Sequence, residues 1–381
     1  MLRCNILSVF LTFSLLAGAQ DWKVVRENPQ KAFPKTVAAG NYSGIAHLHD
    51  DIYAVVSDKS DSALYFNFRI LVNPKTGELE QVENLGFTER TDGTLNDGKF
   101  WQGQEKGFDH EAIVKASDST LVIASEGCCR LKEYPILPTS ADAAKVGSSQ
   151  NLWESKWPSS EFYPNYNFES LAFDSVRQYL WTIPESTLRK DGQPATPQNG
   201  LANQLRLMRL DWGKMKENRN KEEYSEQVSS KKDSCYITPY AYQMDQPSTH
   251  KKADIYVMGV SELCALPDGQ LLVLEREAFI PKIKIGAFCK CKLYLINPLN
   301  SEEFSMKEKF SSDTPFLKKR LLAEWKTGLS LSKRSFANYE GMCLGPKLED
   351  GSQVVILLSD SQDQYAGVLK DWFKTIVIRK E

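Results

Sequence analysis

The sequence predicts an all-β fold, a β-propeller. Three observations predict it: a short motif recurs five times, each copy opens a hairpin with an acid at its far end, and no sustained 3.6-residue period interrupts the pattern. The five copies are Tyr42-Ser43-Gly44-Ile45-Ala46, His110-Glu111-Ala112-Ile113-Val114, Phe168-Glu169-Ser170-Leu171-Ala172, Val260-Ser261-Glu262-Leu263-Cys264 and Tyr339-Glu340-Gly341-Met342-Cys343. They share Ser or Glu, then a mostly small residue, a large aliphatic and a small apolar residue. Radial folds announce themselves as one motif at long period.

Each motif is followed by turn chemistry and a dense β-rich run, at 52–57, 120–125, 179–184, 270–274 and 353–359. Asp50-Asp51, Asp118-Ser119, Pro267-Asp268-Gly269 and Glu349-Asp350-Gly351 supply turns. Asp and Gly there tolerate the tight backbone a hairpin needs. Third strands are expected at 64–72, 204–212, 292–297 and 374–379, and fourth strands at 236–244 and 321–325. Three or four antiparallel strands per unit describe propeller blades. Five repeats are visible, and the long interval 201–258 has room for a sixth, so five or six blades are expected. The last repeat is short, and residues 22–37 are expected to supply its outermost strand, so that N- and C-terminal segments close the ring together. Two separate sandwich domains are the alternative arrangement.

The N-terminus sets an expected compartment. Arg3 precedes an apolar run at 6–16 that ends in Ala17-Gly18-Ala19, the pattern of a cleaved signal peptide. Residues 1–19 are therefore expected to be removed, leaving 20–381 as one secreted or periplasmic domain. The run is too short to span a bilayer, and no later stretch reaches the ~20 apolar residues of a membrane helix. A net charge of −2 with 25% charged residues argues against a general nucleic-acid binder. Eight cysteines leave seven after processing, so not all can pair, although an oxidising compartment makes some disulfide plausible.

The hairpin geometry converts the repeat into a candidate site. The start of a hairpin's first strand lies beside the end of its second, and the first strand of a blade lines the channel. Glu111, Glu169 and Glu340 are thereby expected at one mouth with the terminal acids Asp58, Glu126, Glu185, Glu275 and Asp360. Eight carboxylates at close range need cations or protons. Arg276, Arg130 and Arg189 are candidate counter-charges, and a bound hard cation is another. An oxygen-rich set in a chain with four histidines suits a divalent cation, Ca²⁺ above all.

At these motifs the sequence resembles the phytase-like family, also described by the esterase-like activity of phytase. The resemblance is carried by Asn167-Phe168-Glu169-Ser170-Leu171-Ala172, Leu271-Leu272-Val273-Leu274-Glu275-Arg276, Asn338-Tyr339-Glu340-Gly341-Met342 and Leu357-Leu358-Ser359-Asp360. It implies an exported propeller that hydrolyses a phosphoester or ester. The expected mechanism is cation-assisted hydrolysis of a small anionic phosphoester, with Asp58, Glu111, Glu169, Glu340 and Asp360 as metal ligands. Glu126 or Glu275 would be general base, and Arg276, Lys292 and Arg130 would hold the substrate. No Gly-x-Ser-x-Gly elbow is present; a nucleophilic serine would need Ser43 or Ser261 beside His47, His49 or His110. The alternative is a non-catalytic exported propeller that binds a glycan, a metal or a protein at the same mouth.

Overall fold

A computed structural model describes residues 21–58, 64–88, 95–96, 109–136, 152–221, 236–330, 334–361 and 369–381. The expected signal peptide lies outside the described residues. The chain opens with β1 (Trp22–Glu27) and β2 (Lys31–Ala32). Blade one follows as β3 (Tyr42–His49), β4 (Ile52–Ser57), β5 (Phe66–Val72), β6 (Leu79–Thr88) and β7 (Leu95–Asn96). Blade two is β8 (His110–Lys115), β9 (Thr120–Ser125), β10 (Arg130–Pro135) and β11 (Glu154–Lys156). Blade three is β12 (Phe168–Asp174), β13 (Tyr179–Pro184), β14 (Gln204–Asp211) and β15 (Ile237–Gln243), with helix α1 (Trp212–Lys221) between its last two strands. Blade four is β16 (Ile255–Ala265), β17 (Leu271–Ile280), β18 (Phe288–Ile296) and β19 (Lys319–Gly328); blade five is β20 (Asn338–Lys347), β21 (Gln353–Asp360) and β22 (Trp372–Lys380).

These are five antiparallel sheets arranged as a five-blade β-propeller. The interval 201–258 completes blade three instead of forming a sixth unit, because Gln204 to Leu210 pair antiparallel with Gln243 to Ile237. The ring closes as the sequence predicts: β1 adds to the outer edge of blade five, with Trp22 opposite Lys380 and Val24 opposite Ile378, and β2 pairs the same strand. Among the described residues no helix is long and apolar enough to cross a membrane.

The inner strands β3, β8, β12, β16 and β20 neighbour one another in that order around the axis. Their approach explains the small third residue of the motif. A Cβ on Gly44 would lie 2.8 Å from Ala112 Cα, and one on Gly341 would lie 2.7 Å from the Ser43 carbonyl. Side-chain atoms do not fit there. Blade four breaks the rule with Glu262, whose Oε1 accepts the main-chain amides of Leu171 at 2.9 Å and Leu263 at 3.0 Å. The Met342 amide adds a third hydrogen bond. One buried carboxylate therefore ties the inner strands of blades three, four and five together at the axis.

The alternate residues of the middle strands fill the spaces between blades, in five apolar clusters. Between blades three and four, Trp181, Tyr240, Leu263 and Val273 are all essentially inaccessible. Each such side chain contributes about 1.5–3 kcal/mol of burial. The acids of the motif strands are held on this frame.

Candidate active site

The Ser or Glu of the motif is displaced from the ladder in every blade. Register shifts fall between His110 and Ala112, Phe168 and Ser170, Val260 and Glu262, and Tyr339 and Gly341, and in blade one between Tyr42 and Ile45. A bulge inserts one unpaired residue and re-aims its side chain. Glu111, Glu169 and Glu340 are the bulged residues of their blades.

The residue closing the second strand sits opposite the one that precedes the motif. The amides of Asp58, Glu126 and Glu185 donate to the carbonyls of Asn41, Asp109 and Asn167 at 3.2, 2.8 and 2.8 Å. Asp360 pairs with Asn338. In blade four the residue at that place is Arg276, opposite Gly259, while Glu275 is one position earlier, opposite Val260. The expectation that Glu275 joins the acid ring is therefore corrected. Side chains alternate along a strand, so a one-residue offset sends Glu275 to the other face.

Arg276 takes the vacant place as the ring's counter-ion. It is buried; Nη2 reaches Glu169 at 3.0 Å and Glu185 at 2.6 Å, and Nη1 donates to Glu340 and, at 3.1 Å, to Asn338. One guanidinium thus joins blades three, four and five, which its planar fork suits. Gly259 makes room: a Cβ there would lie 2.6 Å from the Glu185 carbonyl oxygen.

One arginine does not neutralise the set. Burial, then Glu169, Glu340, Asp58 and Glu126, push the Glu111 carboxyl well above its ordinary value. Glu169 is raised by burial and by Glu185, and Glu340 by burial and by Asp360, although Arg276 opposes both shifts. Both Glu169 and Glu185 are held by Nη2 of Arg276. Glu126 is pushed up to about 7 by burial and by Glu185, against a hydrogen bond from the Asn167 amide.

On the far side of the ring Asp58, Asp109 and Glu111 place carboxylate oxygens within 4.8 Å of one another. Among the described residues this is the group fitted to hold a cation, and its all-oxygen donors suit a hard one. Asp109 was missed by the sequence reading. Its signal was available: Asn41, Asp109, Asn167 and Asn338 form a column of Asn and Asp just before the motif, broken only by Gly259.

The remaining sequence-predicted residues lie elsewhere. Glu275 accepts from Tyr242 and from Lys319, both at 2.6 Å. Lys292 pairs with Asp245, which also takes Lys319 at 2.9 Å and the Tyr294 hydroxyl at 2.6 Å. This network borders a small pocket that Arg276 also lines, with about 20 Å³ of space, enough for one water. Arg130 pairs with Glu154 at 3.3 Å and with Tyr134. Glu275, Lys292 and Arg130 are thus engaged in pairs of their own. Neither serine named for a nucleophile meets a histidine: Ser43 and Ser261 donate to the carbonyls of Asn41 and Leu274. His110 instead bonds Ser125 at 2.8 Å, with its pKa lowered to about 4 by burial and by Arg130. Cys128, Cys129, Cys264, Cys289, Cys291 and Cys343 are free thiols.

No curated protein matches the chain. Solved structures similar to it include a streptogramin B lyase (9% identity, 92% of this chain and 97% of that one, TM-score 0.33). Others are a putative gluconolactonase (9%, 94% and 99%, TM-score 0.35) and a luciferin-regenerating enzyme (10%, 91% and 94%, TM-score 0.36). At that distance they carry no argument. The family model described as Phytase-like, esterase-like activity of phytase, matches residues 37–362, a span that includes every acid of the mouth and the arginine set among them. By that match the chain belongs to the phytase-like family.

Proposed function

We propose that the mouth of the propeller hydrolyses a phosphoester with the help of a divalent cation, in a protein exported by its N-terminal leader. The observation that carries this reading is the convergence, in one half of the acid ring, of Asp58, Asp109 and Glu111, whose carboxylate oxygens lie within 4.8 Å of one another. In the other half Arg276 joins Glu169, Glu185 and Glu340. A cation held by those three, Ca²⁺ by the hardness of the donors, would polarise the phosphoryl oxygen and screen its charge. Glu340 and Asp360 adjoin this half and complete the acidic surround.

Glu126 is the general base in this reading. A carboxyl raised to about 7 is deprotonated in a substantial fraction near neutral pH and basic enough to take a proton from water. Its orientation is fixed by the Asn167 amide, 3.2 Å from Oε1. Arg276 acts as a positioning residue, since both terminal nitrogens are engaged by carboxylates.

The test is phosphate release by the purified protein from phytate, a nucleoside diphosphate and p-nitrophenyl phosphate, with added Ca²⁺ and then with EDTA. Cation-dependent release supports the hydrolase. A melting temperature that rises with Ca²⁺ while no substrate turns over would assign the mouth to binding and refute the catalytic reading.

A further inference from the structure

Among the described residues, the second strand of blade four runs farther past the ring than those of the other blades. The second strands of blades one, two, three and five end at Ser57, Ser125, Pro184 and Asp360, at the level of the acid ring. In blade four β17 runs on from Arg276 to Ile280, and β16 begins at Ile255, which pairs with Ile280. Four further residues at ~3.3 Å each lift this ribbon roughly 13 Å beyond the ring. The turn at 281–287 caps it on the mouth side.

The ribbon's end is apolar and basic at once. Ile255 is 49% exposed, Ile283 75% and Ile285 48%. Lys284 and Gly286 adopt positive φ angles of 63° and 88°, and the Ile285 amide donates to the Ile283 carbonyl, making a tight turn that leaves both isoleucines outside the core. Lys282 stands between the exposed isoleucine and Pro281, and Lys251 and Lys252 are exposed a few residues before Ile255. The acid at the tip, Asp254, is paired with Lys284 at 3.2 Å. A lysine-rimmed set of exposed isoleucines at the end of a projecting ribbon, in a chain of net charge −2, is a local inversion of the protein's character.

We propose that this ribbon docks the protein on an anionic lipid surface, the isoleucines entering the headgroup boundary and the lysines meeting acidic headgroups. The charge complementarity selects an acidic bilayer over a neutral one, and the inference is independent of whether the mouth is catalytic.

The test is co-sedimentation of the purified protein with phosphatidylcholine vesicles and with vesicles containing about one third phosphatidylserine, in EDTA so that no cation bridges lipid to the acid ring. Binding to the acidic vesicles, weakened by salt, is expected. The double variant Ile283→Asp/Ile285→Asp and the double variant Lys252→Glu/Lys282→Glu should each lose on the order of tenfold in partitioning. Their thermal stability should be unchanged, because the altered side chains are exposed. No sedimentation with acidic vesicles, equal binding to neutral ones, or full binding by either variant would overturn the proposal.

Discussion

Replacing Arg276 with alanine tests how the acid ring is held. The side chain is buried and is shared among Glu169, Glu185, Glu340 and Asn338, so its removal strands the buried Glu185 carboxyl and two largely buried ones without their cation. Breaking a buried ion pair by deleting one partner costs about 3–5 kcal/mol. At about 2 °C for each kcal/mol in a large domain, the melting temperature should fall by roughly 6–10 °C at pH 8. The loss should be smaller at pH 5. All three carboxyls are raised by burial even with the arginine present, and rise further without it. A carboxyl whose folded value lies above its unfolded value contributes stability that is present below the unfolded value and is lost as pH rises through the folded one. The variant should therefore regain stability on acidification relative to the parent. The assay is thermal unfolding of both proteins at the two pH values in EDTA. An equal deficit at pH 5 and pH 8, or a deficit under about 1 kcal/mol, would refute the assignment of Arg276 as the ring's counter-ion.

Other expectations follow from the same geometry. Activity should rise with pH through about 7, as Glu126 loses its proton, and Glu126→Gln should lower kcat by about 10²–10⁴ and remove that limb of the profile. Glu262→Ala should cost at least about 2 kcal/mol, since three buried main-chain amides lose their acceptor, while Glu262→Gln, which retains an acceptor oxygen, should cost less; equal losses in a denaturation series would contradict the axial role. Gly259→Ala should destabilise by about 1–3 kcal/mol through collision with the Glu185 backbone, a value checked by the same unfolding measurement. Ca²⁺ at about 100 times its dissociation constant should stabilise the parent by about 2.7 kcal/mol and leave a Asp58→Asn/Glu111→Gln variant unmoved.

The fold was legible because a hairpin is a local object. Turn residues such as Pro267-Asp268-Gly269 and the alternation in β-rich runs are written within about fifteen residues, and five copies of one motif leave few architectures. Closure was legible from the shortness of the last repeat, and β1 pairs β22 as that shortness requires. The site was legible in outline: the bulged glutamates Glu111, Glu169 and Glu340 do meet Asp58, Glu126, Glu185 and Asp360. Blade four was misread by one residue. Its second strand continues as Leu-Glu-Arg-Glu with no break to mark the ring level, and a bulge at Ser261 shifts the register. Counting from the motif's Ser or Glu gives 15 positions to Arg276, as it does to Asp58 and Glu126 in their blades, so the spacing favours the arginine over Glu275. Glu275, Lys292 and Arg130 carry charge close to the motifs in sequence, but their partners Lys319, Asp245 and Glu154 come from 24 to 47 residues away. Such pairings are set by the sheet and are invisible in a linear reading.

The most direct measurement is the cation dependence of phosphate release by the wild-type protein and by Glu111→Gln, with thermal unfolding of both in EDTA as the check on folding. The account predicts release that Ca²⁺ restores after chelation in the wild type and no such restoration in the variant. Release that is indifferent to chelation, or equally restored in Glu111→Gln, would contradict it.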